Sequence, residues 1–125
     1  MPKLTFNVVY DMVRLIPKGK VMSYSGIARQ CGSPHSARYV GFALHALIGT
    51  HRREQVPWWR VINARGYISN IFALEEQRRR LEAEGVEVGA DYRVDMARFD
   101  GEAIVRRRML QRSVKSLARS RAGRC

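Results

Sequence analysis

The sequence holds few cysteines, few acids and no long apolar run, and each shortage removes a class of protein. Two cysteines, Cys31 and Cys125, cannot build a disulfide framework, and no Cys/His spacing forms a zinc-ligand cluster. Both are read as free thiols, and neither a metal nor another cofactor is expected. No stretch of about 18 apolar residues exists to span a bilayer, and charges interrupt the opening MPKLTFNVVYDMVRLIP, unlike a secretory leader. The expectation is a soluble, intracellular chain with no membrane partner. Acids number 11 against 23 lysines and arginines, a formal net charge of +12. Where those charges lie matters more than their total. Arg106, Arg107, Arg108, Arg112, Lys115, Arg119, Arg121 and Arg124 fall in residues 106–125, which contain no Asp or Glu. The other 105 residues are therefore only mildly basic, with 15 cations against 11 acids. This division predicts one domain over residues 1–105, followed by a flexible basic tail over 106–125. Such a tail attracts phosphate without reading sequence.

What remains is enough to close one core, since 46% of the 125 residues are apolar. Phe6, Val9, Met12, Val13 and Ile16 recur at helical spacing until Pro17 ends the pattern. Ser23 is placed to cap a short helix that carries Ile27, Ala28 and Cys31 inward, with Gly32 as its left-handed C-terminal cap. Ser33-Pro34 reads as a fresh N-cap with proline at the first helical position, and Ala37, Val40, Leu44 and Leu47 share a face as far as Gly49. Two short helices across a tight turn form a helix-turn-helix, a unit found in DNA binders and in ordinary cores alike. Thr50–Gln55 reads as a polar loop, and Pro57 excludes a helix interior at Val56-Pro57-Trp58-Trp59. A further helix is expected at about Phe72–Glu84, with Leu74, Arg78 and Leu81 on one side. Val86, Val88, Tyr92 and Val94 predict a closing extended pair or wing. The fold class is thus mainly α, helix-turn-helix or winged-helix-like, with short extended segments.

Three strings carry more than architecture. Gly19-Lys20-Val21-Met22-Ser23-Tyr24, Ser36-Ala37-Arg38-Tyr39-Val40-Gly41 and Pro57-Trp58-Trp59-Arg60-Val61-Ile62 resemble, in order and spacing, the DNA-binding domain of the O6-alkylguanine-DNA alkyltransferases. In those enzymes the third string reads Pro-Cys-His-Arg-Val. Its cysteine thiolate takes the alkyl group from guanine, helped by a histidine base and a carboxylate that orients the base. Here the cysteine position is Trp58 and the histidine position is Trp59. An indole offers an N–H donor and no lone pair suited to attack. Glu84 resembles the relay carboxylate and is expected to have lost its partner.

The departure is itself a pattern. The chain resembles the alkyltransferase-like branch, in which tryptophan replaces the reactive cysteine, and Arg60-Val61-Ile62-Asn63-Ala64-Arg65-Gly66 together with Glu76-Gln77-Arg78 point the same way. The resemblance implies a non-enzymatic protein that binds O6-alkylguanine in duplex DNA through the minor groove. It flips the damaged base into a pocket and flags the lesion for nucleotide excision repair. It implies a lesion pocket of Trp58, Pro57, Val61, Tyr24 and Trp59, with Arg38 as the wedge that fills the vacated stack. It also implies DNA contacts from Tyr24, Ser25, Ser36, Ala37, Arg38, Tyr39 and Arg60. Of these, Arg60 is expected to brace the loop as well. Asn70-Ile71-Phe72 occupies the lid loop.

Extrusion of a base costs a few kcal/mol, less where damage has weakened pairing. The minor groove carries little sequence information, which suits a search for one lesion in any context. The expected partners are double-stranded DNA containing O6-alkylguanine and excision-repair proteins, for a monomer associated with the nucleoid in a bacterium or placed in the nucleus in a eukaryote. Two other readings stand beside this one. A working alkyltransferase would use Cys31 as acceptor, and a winged-helix regulator or nucleoid protein would bind DNA without lesion specificity.

Overall fold

The computed structural model describes the backbone of residues 3–122 and the side chains of residues 3–113. Cys125 and Arg124 lie outside the described residues. In chain order the elements are α1 (Phe6–Val13), β1 (Met22–Ser23), α2 (Tyr24–Gln30), α3 (Ala37–His45), β2 (Val61–Ile62), α4 (Leu74–Ala83), α5 (Met96–Phe99) and α6 (Glu102–Ala122). Single 3-10 turns at His51–Glu54 and Trp58–Arg60 link α3 to β2. The architecture is mainly α, as the apolar spacing predicts, and no described helix is long and apolar enough to cross a membrane.

Local chemistry sets the helix ends. The Thr5 hydroxyl accepts from the Val8 N–H at the start of α1, and the Ser23 hydroxyl accepts from the Gly26 N–H at the start of α2. At the end of α2, Gly32 adopts φ +80°. Its N–H donates to the Arg29 carbonyl while the Ser33 N–H donates to that of Ala28, the paired bonds of a Schellman cap. Ser33 therefore closes α2, and the N-cap expected there for α3 moves to Ser36. Pro34 and His35 form the intervening turn.

Two apolar clusters fill the interior. The first joins α1, α2 and α3 through Val9, Val13, Ile16, Ile27, Val40, Leu47 and Trp58. The second joins β2 to α4 and the later loops through Ile62, Ile68, Leu81, Val86, Val94 and Phe99. Trp59 packs against both. Between them β1 and β2 pair in parallel, Met22 with Val61 and Ser23 with Ile62. This two-residue ladder sets the turn Trp58–Arg60 beside the first residue of α2.

Two expectations change. The closing pair forms between Gly66–Ile68 and Tyr92–Val94, where Ile68 N–H donates to Tyr92 O and Val94 N–H to Gly66 O. Val86 and Val88 are buried and take no part in it. The boundary expected at 105/106 lies inside α6, which carries the described backbone on to Ala122. The Asp100 carboxylate accepts from the Glu102 N–H at the start of α6, Val105 is fully buried, and Arg108 Nη1 donates to Leu15 O at 2.9 Å.

Candidate nucleic-acid interface

Trp58 is 6% exposed and forms part of a cavity of about 350 Å³. Tyr24 of α2, Gly41 and His45 of α3, Arg53 of the 3-10 turn, and Glu76 and Gln77 of α4 line the same space. The segment Ser69–Ala73 closes one side, with Ile71 and Phe72 each 76% exposed at the rim. The volume is in the range that admits a small ligand.

The floor is held by charge. Arg53 donates to both Glu76 oxygens at 3.1 and 2.8 Å, and its guanidinium lies 4.4 Å from the Trp58 ring centre. Arg80 bridges Glu76 and Glu54 and lies 4.7 Å from the Trp59 ring centre. Hydrogen bonds from Arg53 and Arg80 hold the Glu76 carboxyl below its ordinary pKa, against partial burial. It is therefore ionised at neutral pH. Guanidinium over indole contributes about 0.5–2 kcal/mol per contact. These contacts fix the ring although the Trp58 N–H is buried without a hydrogen-bond partner among the described residues.

Trp59 turns away from the cavity. Its ring meets that of Trp58 edge-on, 6.0 Å between centroids and 88° between planes, and its Nε1 donates to Glu84 Oε1 at 2.8 Å. Arg60 completes the cluster. Nε donates to both Glu84 oxygens at 2.9 Å, Nη2 to Oε2 at 2.6 Å, and Nη1 to Ile16 O at 2.8 Å. Glu84 has thus kept partners where none was expected, because the indole N–H reaches it and a guanidinium grips it from the other side. The carboxylate accepts from donors that do not give up their protons, which leaves it no relay to run.

Of the predicted pocket residues, Trp58 and Tyr24 line the cavity, whereas Val61 is buried in β2. Trp59 packs beneath the floor, and Pro57 caps the turn without lining the space. Burial raises the Tyr24 pKa, so its hydroxyl is a neutral donor at physiological pH. Of the predicted DNA contacts, Arg38 is exposed at the second position of α3, and Ser25, Ser36 and Ala37 are half-buried at the two helix N-termini. Tyr39, also half-buried, meets the exposed Phe6 at a tilt, centroids 5.2 Å apart, and Arg60 is held by Glu84 and the Ile16 carbonyl, bracing the loop as expected. Arg38, Gly41 and His45 share one stripe of α3 at i, i+3 and i+7, so Arg38 stands one turn, about 4.5 Å, along the helix from the cavity wall.

Arg53 and His45 carry no site role in the sequence, and Glu76 and Gln77 stand there only within a family string. Gln77 is 2% exposed and its Nε2 donates to the carbonyls of Trp59 and Val61 at 3.0 and 2.9 Å, tying α4 to the floor. Its signal was a polar side chain on the inward stripe Leu74, Gln77, Leu81. Among the described residues no group of three or more His, Cys, Asp or Glu could hold a metal ion.

Cys31 ends α2 against the first core cluster, and burial pushes its thiol up to about 11. At pH 8 the thiolate fraction is then roughly 0.1%, since each unit above ambient pH costs a factor of ten. Iodoacetamide labelling of Cys31, followed by peptide mass spectrometry, is expected to run about a hundredfold slower than that of an ordinary thiol of pKa near 9. It should accelerate tenfold per pH unit up to about pH 11. Labelling at the ordinary rate would contradict this environment.

Helix-turn-helix, minor elements and a cavity floored by Trp58 of the Pro-Trp-Trp-Arg-Val string together define a DNA-binding domain of the alkyltransferase type. Residues 5–86 match the family model of the 6-O-methylguanine DNA methyltransferase DNA-binding domain, and the chain belongs to that family, in its alkyltransferase-like branch. It is 51% identical over 86 residues to alkyltransferase-like protein 1 of Schizosaccharomyces pombe, covering 66% of this chain and 77% of that protein. It is 39% identical over 92 residues to a DNA base-flipping protein of Vibrio parahaemolyticus, covering 73% and 89%. The crystal structure of S. pombe Atl1 with damaged DNA containing O6-carboxymethylguanine superimposes with a TM-score of 0.67 at 45% identity. That match covers 76% of this chain and 92% of the other.

Proposed function

We propose that this protein binds O6-alkylguanine in duplex DNA, rotates the damaged base into the Trp58 cavity without removing the alkyl group, and so marks the lesion for excision repair. One observation carries the reading. The exposed Arg38 stands on the same stripe of α3 as the cavity residues Gly41 and His45, one turn away from them. A group that enters the base stack and a chamber that receives the displaced base must lie about this close, because the flipped nucleotide stays attached to its backbone.

The chemistry of the floor supports holding over reacting. Trp58 stands where a thiolate would attack, and Glu84 is committed to Trp59 and Arg60. An apolar indole face accepts O-alkyl groups through contact area. The small residues Ser36 and Ala37 at the start of α3 suit close approach to the backbone of the minor groove. Relatives named for base flipping, and one solved with a damaged duplex, agree with this reading. Excision-repair proteins are the partners we infer for the bound complex, and a monomer is the state we infer for the protein.

Competition between matched duplexes with and without O6-methylguanine tests the proposal, together with a count of radiolabelled methyl on the protein. The expected result is preference for the damaged duplex of at least about tenfold, or 1.4 kcal/mol, and no protein-bound label. Equal affinity for the two duplexes would overturn the lesion reading, and stoichiometric label would overturn the non-enzymatic one. Recovery of a single preferred undamaged sequence would favour the winged-helix regulator instead.

A further inference from the structure

The helix α6 lies beyond the stretch matched to the family model, residues 5–86, and its placement on the helix-turn-helix is built. Glu102, at its first position, receives two hydrogen bonds from Arg29, 3.0 and 2.7 Å, and one from Gln30 Nε2, 2.8 Å. Gly26 makes room for this clamp, since a Cβ there would stand 2.9 Å from Glu102 Oε1. Ser25 and Arg29 are four residues apart and share a face of α2, so the clamp adjoins the α2 end of the candidate DNA face. Val105 is buried and Met109 is half-buried against the first core cluster, while Arg106, Arg107, Leu110 and Arg112 are exposed. None of these three arginines is in an ion pair among the described residues. From Arg106 to Ala122 the sequence carries seven cations and no acid, along about 24 Å of helix, the rise of roughly seven base pairs.

We propose that α6 is a second DNA-contacting element, which grips the phosphate backbone of the duplex flanking the base-flipping face and is aimed by the Glu102 clamp. Unpaired arginines along a helix continuous with the candidate DNA face fit a polyanion, and a duplex supplies one negative charge per about 1.7 Å of axis. The proposal rests on the reading of α2 and α3 as the DNA face. It adds affinity and footprint without lesion preference.

The test uses the full chain and the variant R106Q/R107Q/R112Q, whose three positions are exposed and so leave the core intact. Binding is measured by fluorescence anisotropy on undamaged and O6-methylguanine duplexes of about 12 and about 30 base pairs, over roughly 50–200 mM salt. On the long duplexes the variant is expected to bind at least about tenfold more weakly, with a salt slope reduced by about 2–3, equally with and without the lesion. On the short duplexes, which end before the flank, it should match the parent. E102Q, which weakens the clamp while keeping every cation, should reproduce part of the loss on the long duplex alone.

Equal salt slopes for parent and variant on the long duplex would overturn the proposal and leave the helix to an acidic protein partner. Equal loss on both lengths would also overturn it, by placing the arginines within the central footprint. Failure of the parent to prefer damaged DNA would sink the lesion reading alone, since the length comparison is made on undamaged duplex as well.

Discussion

Glu84→Ala is expected to destabilise the fold by about 3–5 kcal/mol, the usual cost of removing one partner from a buried ion pair. The carboxylate is 8% exposed and Arg60 15% exposed, so neither has enough water to fall back on. Removal would leave the guanidinium with only the Ile16 carbonyl and the Trp59 N–H with nothing. The effect should spread, because Ile16 belongs to the first apolar cluster just after α1, Trp59 touches both clusters and Arg60 leads into β2. In a chain of this size such a loss lowers the melting temperature by on the order of 10 °C. Arg60→Lys should recover little, since a single ammonium cannot reproduce the planar two-oxygen contact. Urea denaturation of both variants checks this, and a Glu84→Ala change below about 1 kcal/mol would show that the cluster is not what holds the turn.

The second large effect concerns binding. Arg38→Ala should weaken binding to an O6-methylguanine duplex by roughly 10–100-fold, or about 1.4–2.7 kcal/mol, with the melting temperature unchanged because the side chain is exposed. A phosphate contact alone would be kept by lysine, whereas filling a vacated stack requires the flat guanidinium. Arg38→Lys therefore separates the two roles. Lysine behaving like alanine on damaged DNA supports the wedge, and lysine behaving like arginine would reduce Arg38 to a backbone anchor.

Much of this was legible before any coordinates. The spacing of Val9, Met12, Val13 and Ile16 set the inward face of α1, and Gly32 set the end of α2. The string around Trp58 located the floor of the cavity and the missing nucleophile. What escaped had physical reasons. Ser33-Pro34 is as good an N-terminal signal as Ser36, and only the 6→1 bond from Ser33 to Ala28 decides between them. Charge dominated the reading of residues 106–125, although nothing from Glu102 to Ala122 breaks a helix and Val105 and Met109 offer an anchor. Arg53 and Glu76 lie 23 residues apart, and no local pattern marks two charges that meet beneath an aromatic ring.

The grip of Trp59 and Arg60 on one carboxylate also bears on what it would take to install a reactive thiol at this cavity. A histidine at position 59 would be smaller than the indole it replaces, opening a void between the two clusters. It would also have to win Glu84 away from a guanidinium before it could polarise any thiol. Each single step toward reactivity is thus downhill in stability and yields no turnover until several others are in place.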